Sequence, residues 1–156
     1  KLESVDIRRI VALLSKTSAR KAEDRGVRLE VIAPETIPFV QADGQKISWV
    51  VTQLIDNGIK FTQSGGSVTV ALEEEGKNLV QIVVRDTGVG IPQNRMKEIF
   101  EPFHQLDGSS TRHYGGTGLG LSLVRQIVEA HGSLLDVRST EGKGTIFKFP
   151  LLAMRD

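Results

Sequence analysis

Asp43-Gly44-Gln45-Lys46-Ile47-Ser48-Trp49-Val50-Val51-Thr52-Gln53-Leu54-Ile55-Asp56-Asn57-Gly58-Ile59-Lys60-Phe61-Thr62 reads as one amphipathic helix with a polar edge. Asp43 is a good N-cap, because a short acidic side chain accepts from the free amides of a first turn. From there Ile47, Val50, Val51, Leu54 and Ile55 recur at helical spacing, and Gly58 extends the stripe without a side chain. At about 100° per residue, Gln53, Asn57 and Lys60 fall on one line beside that stripe. An amide oxygen is a hard ligand suited to a divalent cation, and an ammonium balances phosphate charge. The trio suits a magnesium-bound polyphosphate, although polar residues also border the core on any amphipathic helix.

The rest of the chain arranges itself around this helix. Ile7, Ile10, Val11 and Leu14 give a first helix over about residues 5 to 24, with Gly26 as its stop. Val27, Leu29 and Val31 alternate with charged residues as a half-buried strand, and a short extended piece follows at Phe39 to Gln41. Beyond a Gly/Ser turn, Val68, Val70 and Leu72 pair in pattern with Val80, Ile82 and Val84 as a hairpin. Leu123, Val124, Ile127 and Val128 predict a third helix ended by Gly132. Two strands close the chain, near Leu134 to Arg138 and Thr145 to Leu151. This order predicts an α+β fold: a two-layer α/β sandwich, with a mixed sheet of about five strands covered on one face by about three helices.

Two further stretches carry chemistry. In Asp86-Thr87-Gly88-Val89-Gly90-Ile91-Pro92, Asp86 shares its strand face with Val80, Ile82 and Val84 and should point inward. A buried carboxylate needs a partner. It can accept from an adenine amino group, and Gly88 and Gly90 let backbone approach a base closely; a plain Asp-Gly turn is the simpler alternative. Gly115-Gly116-Thr117-Gly118-Leu119-Gly120-Leu121 leads straight into the third helix, where free amides and a positive dipole end suit phosphate. No GxxxxGK[ST] loop occurs, and the stretch follows a loop instead of a strand, so neither a P-loop nor a dinucleotide fingerprint is present. The long, nearly apolar-free run from His104 to Gly118 reads as a functional lid.

Composition sets the outer bounds. The 156 residues fit one domain, and 39% hydrophobic residues suffice for a core. A net charge of +1 points to no nucleic acid and no anionic membrane surface. The absence of cysteine removes disulfides and thiolate chemistry. The apolar runs fall far short of the roughly 20 residues that span a bilayer. The chain opens on Lys1 and reads as a fragment.

Taken in order, and with Phe100-Glu101-Pro102-Phe103 between the last two, these motifs resemble the catalytic ATP-binding domain of sensor histidine kinases. That domain belongs to an ATPase superfamily (GHKL, with a Bergerat-type fold) shared with gyrase, certain chaperones and mismatch-repair ATPases. Residues 53–62 look like its N box, 86–92 and 116–121 its glycine boxes, 100–103 its F box and 142–147 its closing strand motif. The resemblance covers nearly all of residues 1–156. It implies that Asn57 is a ligand of Mg2+, that Lys60 contacts phosphate, and that Asp86 reads the adenine amino group with Thr145 nearby through water. Phe61 and Ile91 would line the base pocket. Gly116, Thr117, Gly118, Leu119, Gly120 and Leu121 would cradle the phosphates, and Arg112 or His113 would reach the γ-phosphate of ATP. Two positions depart from the pattern: Gln53 where asparagine is usual, and Gly58 where alanine is commoner. The latter costs up to about 1 kcal/mol of helix stability.

The same resemblance implies partners. The chain holds three histidines, His104, His113 and His131, and none sits in the phosphoacceptor pattern of a histidine followed by an acidic residue on a long helix. His131 reads as a cation at a helix C-terminus, and Trp49 as either an exposed docking contact or a partly buried ring. The phosphoacceptor is expected on upstream dimerisation helices of a homodimeric parent, with a response regulator receiver domain as the onward partner and a cytoplasmic location. Rival readings are an ATP hydrolase of the same superfamily, a serine-kinase anti-sigma factor, and a nucleotide-binding docking module without turnover. Hydrolysis wants a carboxylate base in the helix, and Gln53 stands at that place.

Overall fold

The computed structural model describes residues 1–101 and 120–154. Helix α2 (Gly44–Phe61) forms as its periodicity requires, with the Asp43 side chain accepting from the Lys46 amide at its start. Ile47, Val50, Val51, Leu54, Ile55, Gly58 and Ile59 are its buried residues. Helix α1 (Ile7–Asp24) and helix α3 (Gly120–Ala130) pack on either side of it.

These helices cover a five-stranded sheet of β2 (Arg28–Ile32), β4 (Ser67–Glu75), β5 (Leu79–Asp86), β7 (Gly144–Leu152) and β6 (Asp136–Thr140), in the order β2-β4-β5-β7-β6. The β2–β4 pair is parallel and the others antiparallel, so the sheet is mixed as expected. Alternation decides the covered face. Val68, Val70 and Leu72, Val80, Ile82 and Val84, and Phe147, Phe149 and Leu151 are all buried with the helix stripes. Burying a side chain of this size stabilises by roughly 1.5–3 kcal/mol relative to exposure.

Several expectations are corrected. The first helix begins at Ile7 because Asp6 caps it, its side chain accepting from the Arg9 amide at 3.1 Å. The residues before it form β1 (Glu3–Val5), which pairs antiparallel with β3 (Val40–Ala42) in a second small sheet. In β2, the edge strand of the sheet, only Leu29 is half-buried and Val31 is 41% exposed. Leu123 is 42% exposed, so the buried stripe of α3 narrows to Ser122, Val124 and Val128. Of the two alternatives for Trp49, the partly buried ring is the one found, packed against the core. His131 is a bridge and not a helix-end cation. Its Nδ1–H donates to the Ile127 carbonyl at 2.8 Å, and its Nε2 accepts from the Asp43 amide at 3.0 Å. The ring thereby ties the end of α3 to the start of α2.

Gly58 has a packing role. A Cβ there would sit 3.1 and 3.3 Å from the two methyls of Val68 and 3.6 Å from the Asp86 Cβ. Val68 is fully buried and has little room to give. Gly58→Ala gains about 1 kcal/mol of helix propensity and meets crowding of about 1–3 kcal/mol. The expected outcome is net destabilisation, read as a lowered urea midpoint; a raised midpoint refutes the packing role.

Candidate functional site

The inner face of the sheet ends in a polar row. Asp86 on β5 lies directly opposite Thr145 on β7, and Thr145 lies opposite Ser139 on β6. The next row inward, Val84, Phe147 and Val137, belongs to the core or packs against it. Side chains directly opposite on antiparallel strands lie side by side on one face. Asp86 therefore points inward, as its alternation predicts, and is only 9% exposed.

Its carboxylate is half satisfied. Oδ1 accepts from the Gly88 amide at 2.8 Å and from the Thr145 amide at 3.2 Å. Oδ2 has no hydrogen-bond partner among the described residues and keeps some solvent access, while the residue as a whole is largely buried. Burial pushes the Asp86 carboxyl above its ordinary value, against the opposing pull of the Gly88 and Thr145 amides.

The loop after β5 is clamped on both sides. The Val89 amide donates to the Phe61 carbonyl at the end of α2, and the Gly142 amide of the β6–β7 turn donates to the Val89 carbonyl. A Cβ at Gly88 would lie 2.3 Å from the Phe61 carbonyl oxygen and 3.0 Å from Asp86 Oδ1, so only glycine fits. Gly90 has a φ of 74°, and a Cβ there would meet the Thr140 carbonyl at 2.2 Å. Thr87 Oγ1 accepts from the Ser67 amide at 3.0 Å, which anchors the turn to β4. The Ile91 amide donates to Ser139 Oγ at 2.8 Å.

Gln53, Asn57 and Lys60 lie half-buried along α2, and the Lys60 carbonyl accepts from Arg25. Asp56, their neighbour, turns the other way to an ion pair with Lys21 at 3.2 Å. Gly120 opens α3 beside this edge: a Cβ there would lie 3.1 Å from Gln53 Oε1. Leu121 packs against the core. Gly88 and Thr145 are thus bonded to Asp86, the Phe61 carbonyl lies against Gly88, Gly90 packs on Thr140, and Ile91 joins the same polar row through Ser139, with Asn57 on the adjoining helix. Arg112, His113, Gly116, Thr117, Gly118 and Leu119, and the expected lid, lie outside the described residues. Ser139 is the residue the sequence reading missed. Its role depends on pairing with Thr145 across the hairpin, and no local motif announces that register.

Among the described residues no helix is long and apolar enough to cross a membrane, and no cluster of acidic and histidine side chains could hold a metal. Residues 42–155 match the family described as histidine kinase-, DNA gyrase B-, and HSP90-like ATPase. The chain is 38% identical over 145 residues to an uncharacterized sensor-like histidine kinase of Rhizobium meliloti, covering 93% of this chain and 27% of that protein. It is 39% identical over 119 residues to the sensor histidine kinase WalK of Bacillus subtilis, covering 76% of this chain and 20% of that one. Among solved structures it resembles the mycobacterial sensor histidine kinase MprB, at 26% identity and a TM-score of 0.81 with full coverage of both chains. It also resembles full-length ShkA in complex with AMPPNP, at 26% identity and a TM-score of 0.87, over 99% of this chain and 32% of that one.

The raised pKa of Asp86 has a sign that can be tested. A carboxyl whose folded pKa lies above its unfolded value favours folding fully below the unfolded pKa, and that contribution is lost as pH rises through the folded one. At neutral pH the buried carboxylate is therefore a cost that an isosteric amide avoids. Asp86→Asn should be more stable than the parent at pH 7, and the difference should shrink as pH falls towards 4. Urea denaturation across that range measures it; a parent more stable than the variant at pH 7 contradicts the burial argument.

Proposed function

The chain belongs to the histidine kinase-, DNA gyrase B- and HSP90-like ATPase family, and on that footing we propose that it binds ATP with Mg2+ and donates the γ-phosphoryl group to a histidine on a separate helical dimerisation domain. The reading rests above all on Asp86 Oδ2, an acceptor on a largely buried side chain that keeps solvent access and has no partner among the described residues. An exocyclic amine is the group that such an oxygen fits, and adenine carries one. Gly88, which admits no Cβ because the Phe61 carbonyl fills that space, holds the loop close against the end of α2 beside Asp86.

Each residue then has a task. Asp86 accepts from the adenine amino group, and Phe61 and Ile91 bound the base, while Gly88 and Gly90 let the loop pack against the Phe61 and Thr140 carbonyls. Asn57 offers an amide oxygen to magnesium, and Lys60 offers charge to the phosphates. When bound, magnesium neutralises charge on the phosphate oxygens and fixes their geometry. Gly120, at the start of α3 beside Gln53, is the described end of the phosphate cradle, and Gly116 to Leu119 and Arg112 or His113 would complete it. In the transfer, the bond between the γ-phosphorus and the bridging oxygen breaks as the acceptor nitrogen bonds phosphorus, and ADP leaves with the electron pair.

Kinase action is favoured over hydrolysis by Gln53. An amide cannot take a proton from water, so the helix supplies no general base at the position where a hydrolase would want a carboxylate. The acceptor is sought elsewhere because both ring nitrogens of His131 are engaged in structural hydrogen bonds. The chain spans 27% and 20% of the length of the two curated relatives described above. The acceptor helices, a homodimeric parent, a receiver domain as the onward partner and a cytoplasmic location complete the proposal.

Two measurements test it. Asn57→Ala should weaken ATP binding strongly with magnesium present and little without it; equal losses in both conditions remove Asn57 as the ligand. With γ-labelled ATP, the chain alone should acquire no label and release little phosphate, because positioning and charge stabilisation are present without a nucleophile. Adding the helical domain in trans should give transfer to its histidine, weakened by the lost effective concentration. Labelling of the chain by itself, or robust phosphate release, overturns the reading.

A further inference from the structure

The polar row at the end of the inner face contains a hydroxyl pair whose proton order can be worked out. Ser139 Oγ lies 2.8 Å from the Ile91 amide nitrogen, 3.1 Å from the Gly144 carbonyl oxygen and 2.8 Å from Thr145 Oγ1. A serine hydroxyl has one proton and two lone pairs. The Ile91 amide can only donate, so it takes one lone pair. The Gly144 carbonyl can only accept, so it takes the proton. One lone pair remains, and Thr145 Oγ1 meets it only by donating. The opposite order, in which Ser139 donates to Thr145, leaves the Gly144 contact without a proton and a lone pair of Ser139 unused. Buried polar groups favour the order that fills every site, and Thr145 is only 6% exposed.

The consequence falls on the adenine site. Having given its proton to Ser139, Thr145 can offer only lone pairs to anything else that approaches it. Its strand neighbour Asp86 offers only lone pairs as well, through Oδ2. This end of the site is then a wall of acceptors: it suits an amine and opposes a carbonyl. We infer that Ser139 is a specificity-determining residue, which selects a purine with a 6-amino group over one with a 6-keto group by holding the Thr145 hydroxyl in its acceptor orientation. Ser139 is a positioning residue in this account and touches no nucleotide itself. The inference rests on the adenine-site reading above and assigns it a second source of base selectivity beyond Asp86.

Without Ser139, the Thr145 hydroxyl is free to rotate and donate to a keto oxygen, so part of the discrimination should disappear. Sites that recognise a ligand through such hydrogen bonds reject the mismatched analogue because buried groups are left unpaired. The probes are ATP and inosine triphosphate, in which a keto oxygen replaces the 6-amino group and N1 gains a proton, titrated calorimetrically into the chain and its variants. The parent should prefer ATP. Ser139→Ala should narrow the ratio of the two affinities by on the order of tenfold, mainly by gaining affinity for the inosine nucleotide. Ser139→Thr, which keeps the hydroxyl, should restore the ratio. In a Thr145→Val background, Ser139→Ala should leave the ratio where Thr145→Val put it, because the hydroxyl it controls is gone. Exchange of the Ile91 amide should quicken in Ser139→Ala, a purely structural effect that serves as a control. An equal loss of affinity for both nucleotides in Ser139→Ala assigns Ser139 to loop packing only and overturns the inference. So does an undiminished ratio, or an effect of Ser139→Ala that persists at full size in the Thr145→Val background. A parent chain that binds neither nucleotide overturns the adenine-site reading itself, whereas a parent that discriminates while the serine variants behave alike sinks only the role of Ser139.

Discussion

Everything in this structure that bears on chemistry depends on one half-satisfied carboxylate. Asp86 is carried to the end of β5 by the same alternation that buries Val80, Ile82 and Val84, so the strand that builds the core also delivers a charge to its edge. Leaving a carboxylate there would be costly without compensation. Two backbone amides, from Gly88 and Thr145, supply it on one oxygen. Both demands shape the surrounding chain: the Gly88 amide can reach back only if the loop turns within two residues, and the Thr145 amide is in reach only if β7 lies antiparallel at that register.

Helix α2 supplies the opposite wall, and its two jobs share one surface. The stripe from Ile47 to Ile59 packs on the sheet, and the line of Gln53, Asn57 and Lys60 runs along its border. How near that border comes to Asp86 is set at Gly58, where the missing side chain lets the helix settle against Val68. The carbonyl of Phe61, freed at the helix end, then takes the Val89 amide and holds the glycine loop. Packing and site are thus set by one contact surface.

The layered α+β plan could be read from the sequence because it rests on local periodicity. The α2 stripe and the β4 and β5 alternations each identify an element on its own, and the structure places them as expected. The parts that were not legible depend on partners distant in sequence. β1 is three residues long and exists only because β3 pairs with it. The exposure of Val31 follows from β2 being an edge strand, which alternation cannot reveal. His131 looked like a helix-end cation because nothing local indicates that the Asp43 amide, 88 positions earlier, donates to its ring. Ser139 escaped notice for the same reason, since its meaning is fixed by a hairpin register and by Ile91 on another segment. Asp86 was legible because strand parity and the following glycines are both local signals.

The stability of such a site runs against its use. A core edge optimised for folding would place an apolar or neutral residue where Asp86 stands, because desolvating a carboxylate weakens the folded state. Gly88 and Gly90 add flexible backbone to the unfolded chain, which also opposes folding. On the proposed reading, a ligand that donates to Asp86 would bind only the folded form and shift the balance back by mass action.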